Sequence, residues 1–155
     1  MTTYHAAAKC DCGSGSGHTS DLLQVAALVR AFFQVFDNRD GRKPQETALR
    51  ACCLPSAVVR VMGPEGLKEM DLESFWRPRE ALLTSGRLVA FHEWPLEELS
   101  GQVWVDGDLA SARVRYAKAG WLDGVSWQGA GLKHFQMVRL PDGWRIASLA
   151  WQDDA

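Results

Sequence analysis

No apolar run in this 155-residue chain approaches the roughly 18 residues that a membrane-spanning helix needs, so no membrane partner is expected. No Lys/Arg cluster stands out and the formal net charge is -2, which removes the electrostatic footprint of a nucleic-acid binder. Cysteine is scarce. The four present are too few for a disulfide scaffold in a chain of this size, and no charged segment followed by an apolar core opens the sequence, so a reducing cytoplasm is the expected compartment. Signatures of several chemistries are also missing. GSGSG is not followed by a strand-to-helix pattern with Lys-Ser/Thr, so it is no nucleotide loop, and there is neither a Ser nucleophile elbow nor a metal triad. Neither a cofactor nor a metal is expected.

What the chain does have is 46% hydrophobic and 23% charged residues, the make-up of an ordinary globule with a length suited to one domain. Residues 1–19 contain KCDCGSGSGHT, with almost nothing to bury, and read as a flexible arm. Cys10, Cys12 and His18 are possible soft metal ligands there, against the plainer reading of incidental thiols on a tail. The domain is expected over residues 20–155.

The C-terminal hairpin is the clearest structural signal. LKHFQMVRL and WRIASLAWQ flank Pro141-Asp142-Gly143, which supplies a preset φ and then a tolerated positive one. Upstream, Leu22, Val25, Val29, Phe32 or Phe33, and Phe36 share one face of a first helix capped by Ser20 or Asp21. A short helix follows over Gln45 to Cys52, then the strand SAVVRVM, a GPEG turn and a brief strand from Leu67 to Met70. Asp71 caps a third helix ending near Gly86, with Pro78 inside it predicting a bend.

After Gly86 the period becomes two. RLVAFHEW puts Leu88, Ala90, His92 and Trp94 on one face and Val89, Phe91 and Glu93 on the other, so His92 and Glu93 point apart. Asp106-Gly107 and Asp123-Gly124 are further hairpin signals, and Gly129 with Gly131 predicts a bulge that bends the sheet. The class is α+β: about three helices from the N-terminal half packed on a curved antiparallel sheet.

This order of elements, with SAVVRVM after the second helix, the helix starting at Asp71 and the closing DGWRIASLAWQ, resembles the nuclear transport factor 2-like superfamily over about residues 20 to 153. The resemblance implies a cystatin-like cone with a pocket at one end, in the manner of ketosteroid isomerase and the SnoaL-like proteins, and often a homodimer formed through the outer sheet. It implies that Phe33, Tyr116, His134, Gln136, Leu149 and Trp151 face the cavity, with Arg113, Arg115, Trp144, Ile146 and Ser148 outside. The isomerase's own catalytic pattern is not carried over. Val61 or Met62 stands where its general-base Asp would fall, Phe32 or Phe33 where its oxyanion-hole Tyr would, and Gln136 in place of its second donor.

His134 is a candidate general base by its ordinary pKa, or else a structural histidine. Glu93, between Phe91 and Pro95 in its surroundings, is a candidate acid, or else a sheet-edge partner for an Arg. Lys133 and Arg139 alternate away from His134 and read as solvated or interfacial. Trp76, Trp121, Trp127 and Trp151 offer contact area for an apolar ligand or simply for the core. Cys52-Cys53 has no activating cation in view. The leading expectation is a pocket for a small, largely apolar molecule. The alternatives are a cofactor-independent isomerase, dehydratase or epoxide-hydrolase-type enzyme, and a non-catalytic association domain.

Overall fold

The computed structural model describes residues 15–155. The reading of Cys10 and Cys12 falls outside these residues. Three helices, α1 (Gly15–Gln34), α2 (Glu46–Cys52) and α3 (Leu72–Thr84), pack on one curved sheet of seven strands. The strands are β1 (Cys53–Gly63), β2 (Gly66–Met70), β3 (Leu88–Pro95), β4 (Val103–Asp106), β5 (Leu109–Leu122), β6 (Val125–Leu140) and β7 (Gly143–Asp153). Along the sheet the order is β2-β1-β7-β6-β5-β3, and β4 lies beside the other end of β5. All pairings are antiparallel except β1 with β7, which makes the sheet mixed at that one seam.

The expected hairpin at the C-terminus is β6–β7, closing at Leu140↔Gly143 around Pro141-Asp142, with Gly143 at φ 129°. The β5–β6 turn places Asp123 and Gly124 at φ 50° and 78°, the two positive values a tight two-residue turn requires. Asp71 accepts from the Ser74 backbone N–H at 2.8 Å and so caps α3, which runs through Pro78 as one helix.

Four local expectations are corrected. First, α1 starts at Gly15 rather than at a Ser20 or Asp21 cap. Asp21 instead binds Arg139 Nη1 through both oxygens at 2.8 Å and accepts from Trp144 Nε1 at 3.4 Å, which ties the helix to the last hairpin. Second, Gly129 and Gly131 mark no bulge, because β5 and β6 stay in register throughout. A Cβ on Gly131 would lie 2.6 Å from Tyr116 Oη and 2.5 Å from the Gln152 carbonyl oxygen, so this glycine leaves room for the tyrosine to lie across the strand.

Third, the two-face pattern of β3 breaks in the middle. Its register against β5 shifts between Val89 and His92, with Ala90 at φ 52°, and the shift brings Leu88 and Phe91 to the same buried side. Asn38 holds this bulge from the loop that follows α1. Its amide donates to the Leu83 and Leu88 carbonyls at 3.0 and 2.8 Å and accepts from the Phe91 N–H at 2.7 Å. Fourth, a register shift between Gln136 and Met137 leaves Ala147 as an extra residue in β7. Trp144 and Ile146, expected on the outer face, are thereby turned inward and buried, while Ser148 stays outside.

The core lies between the helices and the inner face of the sheet. Val25, Val29, Phe32 and Phe33 of α1 and Phe75 and Trp76 of α3 meet Val114, Phe135 and Leu149 there. Each such side chain contributes on the order of 1.5–3 kcal/mol on burial, so the helices are held by the sheet rather than by their own propensity.

Candidate functional site

The helices do not fill the cone. A cavity of about 320 Å³ remains between α1, α3 and the inner face of β3, β5, β6 and β7. Its apolar wall comes from Phe32, Phe36, Phe75, Leu83, Trp127 and Trp151, and its polar wall from Glu93, Tyr116, Lys118, Lys133, Asp153 and Arg79.

Register assembles the polar wall. Glu93 of β3 lies opposite Lys118 of β5, and Lys133 of β6 lies opposite Trp151 of β7. Tyr116 and Lys118 share the inward face of β5 because side chains alternate. Lys133 Nζ donates to Glu93 Oε2 at 2.6 Å, with the two side chains only 6% and 12% exposed. The same ammonium stands 3.7 Å above the centre of the Tyr116 ring. Burial drives the Lys133 pKa down, and its bond to Glu93 opposes that shift.

Nearer the mouth, Asp153 receives Lys118 Nζ on both oxygens at 2.8 Å and the Tyr116 hydroxyl. Burial pushes the Asp153 carboxyl up, but these donors outweigh it and hold the group below its ordinary value. Tyr116 is pushed far above the usual phenol range, first by burial and then by its bond to the negative Asp153. It serves as a donor, not a phenolate. Arg79 stands over the Phe75 ring, its guanidinium carbon 4.0 Å from the ring centre and 5.1 Å from that of Trp151. Burial lowers its pKa to about 10 despite the opposing charges of Glu93 and Asp153.

Of the residues proposed from sequence, Glu93, Tyr116 and Trp151 line this cavity. His134 and Gln136 do not: they are exposed on the opposite face of β6, His134 paired with Arg113 and Ala150, and Gln136 accepting from the Ser148 hydroxyl at 3.0 Å. The physical reason is the turn at Asp123-Gly124, which fixes Arg113 and His134 as partners and therefore on one face. Phe33 is buried beside the cavity against Tyr116 and Phe135, each ring pair 6.2 Å apart, and Phe32 takes the wall position. Leu149 is core as well, beneath the wall rather than part of it.

Lys133, read from sequence as solvated or interfacial, is instead the buried cation of the site. Arg79, Lys118 and Asp153 were not singled out at all. Alternation from Tyr116 signals Lys118, whereas Arg79 and Asp153 have no comparable mark. Cys52 and Cys53 are buried free thiols, and burial pushes Cys53 up to about 12, so neither offers a ready thiolate.

No protein-family model matches the chain, and no curated protein matches it. Solved structures do. A nuclear transport factor 2-like superfamily protein from Salmonella enterica superposes with a TM-score of 0.70 at 13% identity, over 88% of this chain and 93% of that one. A hexachlorocyclohexane dehydrochlorinase of type 2 gives 0.71 at 16% identity, over 92% and 90%. A nuclear transport factor 2-like protein with a cystatin-like fold from Novosphingobium aromaticivorans gives 0.65 at 17%, over 87% and 82%. At such identities the likeness concerns the fold.

Proposed function

From a chain that has the nuclear transport factor 2-like fold, we propose a protein that holds a small, largely apolar molecule in the cone cavity and works as a homodimer in the cytoplasm. The observation that carries the reading is the cavity itself: about 320 Å³ lined largely by aromatic and aliphatic side chains, with a few charged groups among them. Pockets of this kind and of at least about 300 Å³ are the usual sites for small ligands. An open space of that volume also counts against a cone filled by its own side chains.

Support for acid-base catalysis through His134 and Glu93 is weak, because the two residues lie on opposite sides of the sheet and Glu93 is already ion-paired. Trp104, Leu109 and Trp121 are exposed apolar side chains that a second copy can cover, and the free buried Cys52 and Cys53 suit a reducing compartment. Native mass spectrometry of the purified protein, followed by denaturation to release bound material, tests both parts. A doubled mass carrying a small organic adduct is expected. A monomer mass removes the dimer. A clean mass, together with an unchanged melt across a panel of small apolar compounds, removes the binder.

A further inference from the structure

The cavity has an uneven charge balance. Lys133 is neutralised by Glu93 at 2.6 Å, and Lys118 by Asp153 at 2.8 Å. The third cation, Arg79, has no carboxylate within ion-pair distance among the described residues, and its one hydrogen bond runs from Nη1 to the Phe75 carbonyl at 2.9 Å. Nε and Nη2 are left without an acceptor among the described residues. A guanidinium that is half-buried on two aromatic rings beside an apolar hollow is poorly hydrated, and an unbalanced positive charge there attracts an anion more strongly than the same charge on an open surface.

The group is also oriented in advance. The Nη1 bond to the Phe75 carbonyl and the contacts with the Phe75 and Trp151 rings restrain the guanidinium, so less freedom remains to be lost when Nε and Nη2 form two parallel N–H bonds. Such an edge matches a planar carboxylate.

We infer that the molecule taken up by this cavity is an organic acid, its carboxylate bound by Arg79 and its apolar body lying against Phe32, Phe36, Trp127 and Trp151. The inference rests on the binding reading above and adds the class of ligand. The remaining polar groups then have a shared role: the two neutral pairs line the cavity without competing for the carboxylate, and Arg79 supplies the charge.

The test compares two probes of nearly identical shape, 2-naphthoate and its neutral amide 2-naphthamide, titrated calorimetrically into the wild-type protein at neutral pH and low salt. The acid is expected to bind about tenfold or more tightly than the amide, the effect of one charge-assisted paired contact. Arg79→Gln is expected to abolish that preference while keeping affinity for the amide, and Arg79→Lys, which retains the charge but not the fork, to keep part of it.

Equal binding of acid and amide to the wild type overturns the inference while leaving the cavity a binding site. A preference for the acid that survives in folded Arg79→Gln removes Arg79 from the role. Failure of both probes to bind the wild type takes down the binding reading itself, and this inference with it. The wild-type comparison stands even where a variant does not fold.

Discussion

Lys133 and His134 are neighbours on β6, yet they occupy different chemical worlds. Lys133 points inward, is almost fully buried, bonds to Glu93 and sits over the Tyr116 ring. His134 points outward into solvent opposite Arg113. A single step along the strand separates the face that bears the cavity from the face that does not. The residue type that invites a catalytic reading is on the wrong side, whereas the one normally assigned to a surface is on the informative side. A buried lysine is costly unless paired, so its presence requires a counter-charge and a polar neighbourhood that an exposed histidine does not.

Five substitutions sharpen that contrast. The largest effect is expected for Lys133→Met, which leaves Glu93 charged and unpaired in the interior and costs about 3–5 kcal/mol in urea unfolding. Adding Glu93→Leu to that variant should restore most of the loss, because an apolar pair of similar size replaces the ion pair. A double variant as unstable as the single one argues that the pair is held by something beyond its own charges. Gly131→Ala comes next. Its new methyl meets backbone at Gln152 and the Tyr116 hydroxyl, so about 1–3 kcal/mol is expected. The matching Gly129→Ala presses only on the flexible Lys118 side chain, 3.0 Å away at Cε, and should cost less. His134→Ala, on the outer face, should shift stability by no more than about 0.5 kcal/mol, and a melt that drops well beyond this assigns the histidine a structural contact the fold does not display.

Much of this contrast is legible in the sequence. The Asp123-Gly124 turn alone pairs Arg113 with His134 and Tyr116 with Gly131, and so predicts that His134 and Tyr116 face opposite ways. The resemblance to a known fold pointed the other way, and the turn was the better guide. The curved sheet, the three helices and the last hairpin were also readable, because they depend on periodicity and turn chemistry within short windows. The bulges at Ala90 and Ala147 were not. The first is held by Asn38, distant in sequence, and each reverses the facing of the residues beyond it. Leu88, read as facing away from Phe91, and Trp144 and Ile146 were misplaced for this reason. Arg79 and Asp153 became visible only once helix, sheet edge and chain end were brought together around one cavity.

The parallel seam has a consequence in time as well as in space. β1 and β7 meet with Cys53 opposite Ile146, residues about ninety positions apart in the chain, whereas β5 and β6 are joined by two residues at a turn. Closing so long a loop costs entropy before any ladder bond forms, so the β5–β6 hairpin is favoured early and the β1–β7 seam late. Until that seam forms, the inner face of β7 that carries Leu149 and Trp151 has a bare edge beside it. A nascent chain is therefore most exposed to mispairing with another chain along β7, after its meander has formed and before β1 arrives.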